Sequence, residues 1–287
     1  LLKIAIFTEA GSGHGYGHLS RCTALKQGFE EFGVCTKVYV RGDLADRDDV
    51  VKTEWLDSYE ALFANFDVIV IDSYHADKRV YEEAAKSAKL GVWFDDTSRI
   101  EYPEGYLIDG KNSVLLRKAF FAPNASCGGV GKKIFISFGG TDQGALVAQI
   151  ASVLRDKFPD FSFIFASKVA DEAFGQNDKI LVGADEIMVA KAMLECVCAV
   201  SAGGQTLLEL AALAIPSVAV IIAENQIAST KRCFDNGHIL GVVDIKDADW
   251  ATKAAGMLCG GKKISPLQVQ TKSIANDILT KAKSGGL

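Results

Sequence analysis

The sequence has no basic block, no CxxC pair, no phosphate-loop signature and no apolar run of bilayer length. Each absence removes a class of function. The 31 Lys and Arg against 36 Asp and Glu give a formal charge of −5, spread along the chain. Nucleic acid is therefore not expected as a partner, because phosphate binding needs clustered Lys and Arg. The longest apolar stretch, Ala211 to Ala223, is 13 residues with Pro216 inside it, too short to span a membrane. The N-terminus shows neither the basic region nor the small-residue cleavage site of a leader and runs straight into a strand-like pattern. Among the seven cysteines, Cys196-Val197-Cys198 is the tightest pair, and its apolar setting favours buried thiols over metal ligands. These absences point to a soluble, reduced, cytoplasmic protein without stable membrane insertion. With 49% hydrophobic and 23% charged residues in 287, the chain can bury a sizeable core, which excludes disorder.

What is present is a repeating phrase: a short β-branched run, a Gly- or Asp-rich loop, then a helical pattern. Lys3-Ile4-Ala5-Ile6-Phe7 leads into a loop from Glu9 to Gly17, then a helix from about His18 to Phe32. Cys22, Leu25, Phe29 and Phe32 share one face of that helix at helical spacing, and Gly33 stops it. Val38-Tyr39-Val40, Val68 to Ile71 and Gly91 to Phe94 read as further strands, the latter two ending at Asp72 and at Asp95-Asp96. Continuous apolar strands alternating with helices imply a parallel sheet covered on both faces. Residues 122 to 131 have a linker composition, after which Lys133-Ile134-Phe135-Ile136 echoes the first strand and again enters a glycine loop. Strands are expected at Phe163 to Phe165, Cys196 to Val200 and Val218 to Ile222. The predicted fold is α/β, with two Rossmann-like domains over residues 1–125 and 130–265 facing an interdomain cleft. A C-terminal helix from Leu267 to Ala282, within 266–287, could pack on either domain.

In open parallel sheets, ligands bind beyond the carboxyl ends of the strands. Gly11-Ser12-Gly13-His14-Gly15-Tyr16-Gly17-His18 departs from G-x-G-x-x-G, since Tyr16 stands at the third glycine, and no G-x-x-x-x-G-K-[S/T] occurs anywhere. A dinucleotide loop and a P-loop are both disfavoured. The four glycines instead let backbone N–H groups approach an anion at a helix N-terminus, with His18 on the threshold. That end should favour the neutral imidazole, suited to a general base; a locally capping histidine is the competing reading. Ser201-Ala202-Gly203-Gly204 leads into a second helix, with Glu209 one turn in. There a carboxylate needs a partner such as a ribose diol, unless it faces solvent. Asn225 and Gln226 offer amides after the strand ending near Ile222. Gly139-Gly140-Thr141-Asp142 could approach phosphate or simply turn. Asp72 and Asp95 at strand ends could position water or a sugar, or cap helices.

Taken in order, these residues resemble a family. Gly15-Tyr16-Gly17-His18 with Arg21, Asp72-Ser73-Tyr74, and Phe94-Asp95-Asp96 look like the N-terminal domain of the UDP-2,4-diacetamido-2,4,6-trideoxy-β-L-altropyranose hydrolases of pseudaminic acid biosynthesis. Phe138-Gly139-Gly140-Thr141-Asp142, Ser201-Ala202-Gly203 with Glu209, and Asn225-Gln226 look like its C-terminal domain. The resemblance runs from about residue 3 to 245. It implies a GT-B fold, related to the lipid II N-acetylglucosaminyltransferase, and an inverting hydrolase; UDP is a good leaving group once helix N-termini stabilise its charge, so no metal or other cofactor is expected. It also implies His18 as the catalytic residue activating water at the anomeric carbon. Glu209 matches the ribose-holding acid, Ser201, Gly203 and Gly204 the phosphate loop, and Asn225 and Gln226 the amide pair near diphosphate and sugar. Tyr74 and Asp95 match cleft positions. The chain departs from the family in its His14, its short Ile108-Asp109-Gly110-Lys111-Asn112 segment, and Gly203-Gly204 in place of a serine pair.

The expected partner is a small UDP-sugar. Two other functions fit the same scaffold: a glycosyltransferase using a hydroxyl in place of water, and a nucleotide-sugar binding module without turnover. A lipid acceptor would call for an exposed apolar patch beside the site, and Leu44 is isolated among charges. A binding module would keep its UDP affinity after loss of His18. No coiled coil or interface stripe is visible, and a monomer is expected.

Overall fold

The computed structural model describes residues 2–11, 13–44, 47–110, 112–121, 131–139, 143–166, 175–258 and 263–285. By compactness the chain divides into two units, residues 1–118 with 269–287, and residues 119–268.

The N-terminal unit is a six-stranded sheet of β1 (Ile4–Glu9), β2 (Thr36–Arg41), β3 (Val51–Lys52), β4 (Val68–Asp72), β5 (Leu90–Asp95) and β6 (Tyr106–Asp109). Their spatial order is β3-β2-β1-β4-β5-β6. Every pairing is parallel, with Thr8 opposite Asp72 where β1 meets β4. Helices α1 (Gly17–Glu30), α2 (Tyr59–Phe63) and α3 (Lys78–Ser87) make the crossovers. β1 and β4 are buried along their whole length, which is why they read as unbroken apolar runs rather than alternating ones. Ile4, Ile6, Val68 and Val70 pack with α1 on one face, and Phe7, Trp55, Phe63, Ile69, Ile71 and Trp93 fill the other.

The C-terminal unit repeats the plan with β7 (Lys133–Ser137), β8 (Ser162–Phe165), β9 (Lys179–Ile180), β10 (Cys198–Ala202), β11 (Ser217–Ile221) and β12 (Gly241–Asp244). Helices α4 (Gly144–Lys157), α5 (Glu186–Leu194), α6 (Gln205–Ala212), α7 (Ile227–Asp235) and α8 (Trp250–Leu258) accompany them. The order β12-β11-β10-β7-β8-β9 is the first sheet's order read from its other edge. Both follow the Rossmann arrangement, which reverses direction beside the first strand and opens a crevice there. The crevices fall between β1 and β4 and between β7 and β10. The echo between Lys3-Ile4-Ala5-Ile6 and Lys133-Ile134-Phe135-Ile136 is therefore topological, since β1 and β7 hold equivalent central places.

The last helix, α9 (Thr271–Lys283), returns to the N-terminal unit and lies along α1. Gly28 permits the close crossing: a Cβ there would stand 3.0 Å from Ala275 Cβ and 3.1 Å from the Thr271 carbonyl oxygen. Thr271 Oγ1 bonds both the N–H and the carbonyl of Leu116, and Gln270 does the same for Val114 through its backbone N–H and side-chain oxygen.

Several boundaries differ from the sequence expectation. The first helix stops at Glu30, and the turn over 31–33 leaves Phe32 exposed rather than on the buried face. The last helix starts at Thr271 rather than Leu267, because Pro266 and the Leu267 N–H bond to the Ala211 carbonyl belong to an extended approach. The strand expected at Cys196 to Val200 runs two residues later, and β3, β6, β9 and β12 were unmarked in the sequence. β3 and β9 are two-residue edge strands with exposed side chains, too short for any period to register. Cys196 is a buried thiol whose burial pushes its pKa up to about 12, so it is chemically quiet. Among the described residues, no helix is long and apolar enough to cross a membrane.

Candidate active site

At the crevice of the N-terminal unit, the loop after β1 delivers His18 to the first turn of α1. Gly15 adopts φ +73°, a conformation that suits glycine, and its N–H bonds the Gly11 carbonyl at 2.7 Å. A Cβ on Gly15 or Gly17 would meet nothing within 4 Å, so the mouth of α1 is open. Among the described residues no side-chain cap closes this end, which leaves first-turn N–H groups directed at whatever binds there.

His18 is 9% exposed, and its Nδ1 stands 2.6 Å from Oδ1 of Asp72, the last residue of β4. Arg21, one turn along α1, grips the same carboxylate with Nε and Nη2, each at 2.6 Å. Its Nη1 and Nη2 also hold Asp96 at 2.7 and 2.8 Å. Four of the five guanidinium hydrogens are thus committed, and the group stacks over the Phe94 ring at 4.7 Å. Because both Nη2 hydrogens go to carboxylates, the short His18–Asp72 contact is best satisfied with the proton on Nδ1, which leaves the lone pair on Nε2. The Tyr74 hydroxyl donates to Asp96 Oδ2 at 2.7 Å, and its ring meets the His18 ring edge to face at 4.5 Å.

The electrostatics follow from this packing. Burial opposes ionisation of Asp72, but Arg21 and His18 outweigh it and hold the carboxyl well below the usual range. Asp96 behaves in the same way: burial raises it, and Arg21 more than compensates. Burial and the adjacent Asp96 push the Tyr74 phenol up, so it remains a neutral donor. The result is an imidazole backed by a fixed carboxylate, an arrangement that orients the ring and stabilises its positive charge once it takes a proton.

The structure thus brings together His18, Arg21, Asp72 and Tyr74, with Gly15 and Gly17 at the helix mouth. One expected residue stands apart from it. Asp95 is not part of this cluster: its Oδ1 accepts from the N–H groups of Thr97 and Ser98, fixing the turn after β5. Its neighbour Asp96 is the one that joins the cluster, through Arg21 and Tyr74. Two adjacent acids at a strand end point to opposite sides, and the sequence gives no sign of which one turns inward. Asp72 likewise serves His18 and Arg21 rather than lying open to a ligand.

At the equivalent crevice of the C-terminal unit the side chains are small. Ser201 is fully buried, with its Oγ 3.1 Å from the Ala202 carbonyl oxygen. The Gly203 N–H bonds the Val220 carbonyl, and Gly204, the N-cap of α6, provides no side-chain cap. Gly203 is required sterically, since a Cβ there would lie 2.3 Å from Thr230 Oγ1 and 3.1 Å from Gln226 Cβ. Glu209 on α6 is buried. Asn225 is exposed, while Gln226 accepts the Ile222 N–H through Oε1 at 3.0 Å and so braces its own turn. Thr230, which the sequence did not single out, has a buried hydroxyl with no hydrogen-bond partner among the described residues. Gly140 and Thr141 lie outside the described residues.

Two Rossmann-like units of this order in one chain define the GT-B class of architecture, and the comparisons agree. The chain matches the UDP-GlcNAc 2-epimerase of Methanocaldococcus jannaschii with a TM-score of 0.57, covering 99% of this chain and 100% of that one at 10% identity. It matches the Staphylococcus aureus MnaA–UDP structure at 0.58 over 99% and 96% of the two chains, also at 10% identity. The match to Acinetobacter baumannii MurG is 0.54 over 97% and 99%, at 12% identity. In sequence the chain is similar to the Helicobacter pylori protein named pseudaminic acid cytidylyltransferase and UDP-2,4-diacetamido-2,4,6-trideoxy-β-L-altropyranose hydrolase, at 24% identity over 256 residues. That similarity spans 80% of this chain and 46% of the relative, so this chain corresponds to less than half of that protein's length. No protein-family model matches.

Proposed function

We propose that this protein hydrolyses a UDP-linked amino sugar, UDP-2,4-diacetamido-2,4,6-trideoxy-β-L-altropyranose or a close analogue, to UDP and the free sugar. The observation that carries the reading is the buried His18–Asp72 pair at 2.6 Å, set at the mouth of an uncapped helix in the Rossmann crevice. With Nδ1 committed to Asp72, Nε2 takes a proton from water as the water oxygen bonds to the anomeric carbon. The bond from that carbon to the diphosphate oxygen breaks, UDP leaves with the electron pair, and the configuration inverts. General-base assistance of this kind contributes about 10²- to 10⁴-fold.

The C-terminal unit supplies the nucleotide cradle. The N-terminal turn of α6, entered over the side-chain-free Gly203 and Gly204, faces the diphosphate with its helix end, and the unpartnered Thr230 hydroxyl offers a further donor. Glu209 accepts from the ribose hydroxyls, and Asn225 with the amide nitrogen of Gln226 meets polar groups of the substrate. The similarity to the Helicobacter pylori protein supports the choice of substrate. Arg21, Asp96 and Tyr74 are positioning residues that hold Asp72 and the imidazole in place.

The test is UDP release from UDP-2,4-diacetamido-2,4,6-trideoxy-β-L-altropyranose, with UDP-N-acetylglucosamine as control and no acceptor present. Proton NMR of the first sugar anomer formed reports the stereochemistry. Release with inversion, absent with the control, is the expected outcome. Measurable UDP binding with no release from either sugar would overturn the hydrolase in favour of a transferase or a binding module.

A further inference from the structure

Beside the His18 cluster lies a second group of side chains that the proposed reaction does not use. Glu9 ends β1, His14 lies in the glycine loop, and His75 follows β4 by three residues. The Glu9 side chain is 1% exposed. One of its oxygens, Oε1, accepts the Ser73 hydroxyl at 2.6 Å and has Arg41 Nη1 at 3.6 Å. The other, Oε2, is approached by two imidazoles at once, with His14 Nδ1 at 3.9 Å and His75 Nε2 at 3.9 Å. Neither is near enough to hydrogen-bond it. The two rings stand edge to face at 4.9 Å, and one donor atom from each of the three residues lies within 4.8 Å of the others.

We propose that Glu9, His14 and His75 form a binding site for a divalent transition-metal ion of the zinc type. Two imidazoles and a carboxylate are a donor set matched to such ions, and three protein ligands leave a coordination position for water or a substrate oxygen. Bonds of about 2.0–2.2 Å place tetrahedral donors roughly 3.3 Å apart. The 3.9 Å Glu–His separations therefore need to close by about half an ångström and the widest donor pair, within 4.8 Å, by up to about 1.5 Å, and the half-exposed His75 can supply that movement. The support expected around such a ligand is also present. The Ser73 hydroxyl fixes Glu9 through its other oxygen, and the same Oγ accepts the N–H groups of His75 and Ala76 at 3.0 and 2.9 Å, tying two ligands to one anchor. Arg41 is the opposing charge nearby. It faces Oε1 rather than Oε2, and its Nε is held by Glu54 at 2.8 Å.

Metal binding here clasps the glycine loop to the segment after β4, the two pieces of chain that carry His18 and Asp72. The sequence reading expected no metal, and a spacing search has little to find, because His75 comes from a distant segment brought beside Glu9 and His14 by the β1–β4 pairing and the Ser73–Glu9 hydrogen bond. The inference does not rest on the proposed hydrolysis, since its readouts are binding and stability.

The test uses untagged protein stripped with a chelator and dialysed, then titrated with Zn²⁺ by calorimetry and with Co²⁺ by visible absorption. About one ion per chain is expected, with Co²⁺ bands typical of low coordination number and a rise in the thermal midpoint on adding Zn²⁺. His75→Ala, at an exposed position that should not disturb folding, is expected to weaken binding at least tenfold and abolish the thermal rise. Glu9→Gln and His14→Ala should act in the same direction. Absence of saturable binding, or binding of equal strength in wild type and His75→Ala, would overturn the site.

Discussion

The two sheets share one strand order, yet their crevices are built from opposite materials. Between β1 and β4 the crevice is charged and interlocked, with one guanidinium gripping two carboxylates and one carboxylate gripping an imidazole. Between β7 and β10 it is lined by Ser201, Gly203 and Gly204, with the buried Glu209 one turn into α6. An ordered charge network holds a proton acceptor in one orientation. A backbone cradle has no such rigidity to offer, but it approaches an anion more closely than side chains allow. In the proposed function the same fold serves proton transfer at one edge and nucleotide binding at the other, and the contrast depends on a few loop residues.

Substitutions should separate the two edges. The largest effect is expected for His18→Asn, a loss of about a thousandfold in kcat with UDP affinity unchanged, measured by UDP release and by titration. Asp72→Asn should lower kcat by about a hundredfold, because the amide can present a donor where Nδ1 needs an acceptor; an unchanged kcat would remove the carboxylate from the mechanism. Arg21→Lys keeps the charge but not the fork. Chemical denaturation should show about 2 kcal/mol of lost stability, because an ammonium cannot reproduce all the charge-assisted hydrogen bonds the fork makes to Asp72 and Asp96. On the other edge, Glu209→Ala should weaken UDP binding about tenfold while leaving the charge network intact. The smallest effect is expected from Asp95→Asn, within about twofold in kcat, whereas Asp96→Asn should cost clearly more. The reverse order would return Asp95 to the site.

The charged crevice also sets a pH dependence. Asp72 and Asp96 have carboxyl pKa values lowered in the folded protein. Their stabilisation is therefore complete above the unfolded value near 4 and is lost as pH falls from there through the folded values. Urea midpoints measured from pH 6 down to pH 3 should decline more steeply in wild type than in Asp96→Asn.

Much of this was legible in the sequence, for reasons the structure makes plain. Strands buried on both faces produce uninterrupted β-branched runs, so β1, β4, β5, β7 and β11 were visible, and with them the parallel α/β class. The glycine loop before His18 was visible because an open helix mouth needs small residues there. What the sequence could not show depends on side-chain direction and on distant partners. Asp95 and Asp96 are adjacent letters with different jobs, decided by which way the chain turns after β5. The pairing of His18 with Asp72 spans 54 residues. The Thr230 hydroxyl and the Glu9, His14 and His75 group are likewise products of topology. The two-residue edge strands carry too little pattern for any periodicity to reveal them.

The most direct test of the account is a crossed measurement on His18→Asn and Glu209→Ala, with single-turnover UDP release and UDP dissociation constants determined side by side. The account predicts that His18→Asn loses turnover and keeps its UDP affinity, while Glu209→Ala loses affinity and, at saturating substrate, keeps most of its turnover. Wild-type turnover in His18→Asn, or equal loss of both quantities in both variants, would contradict a division of labour between the two crevices.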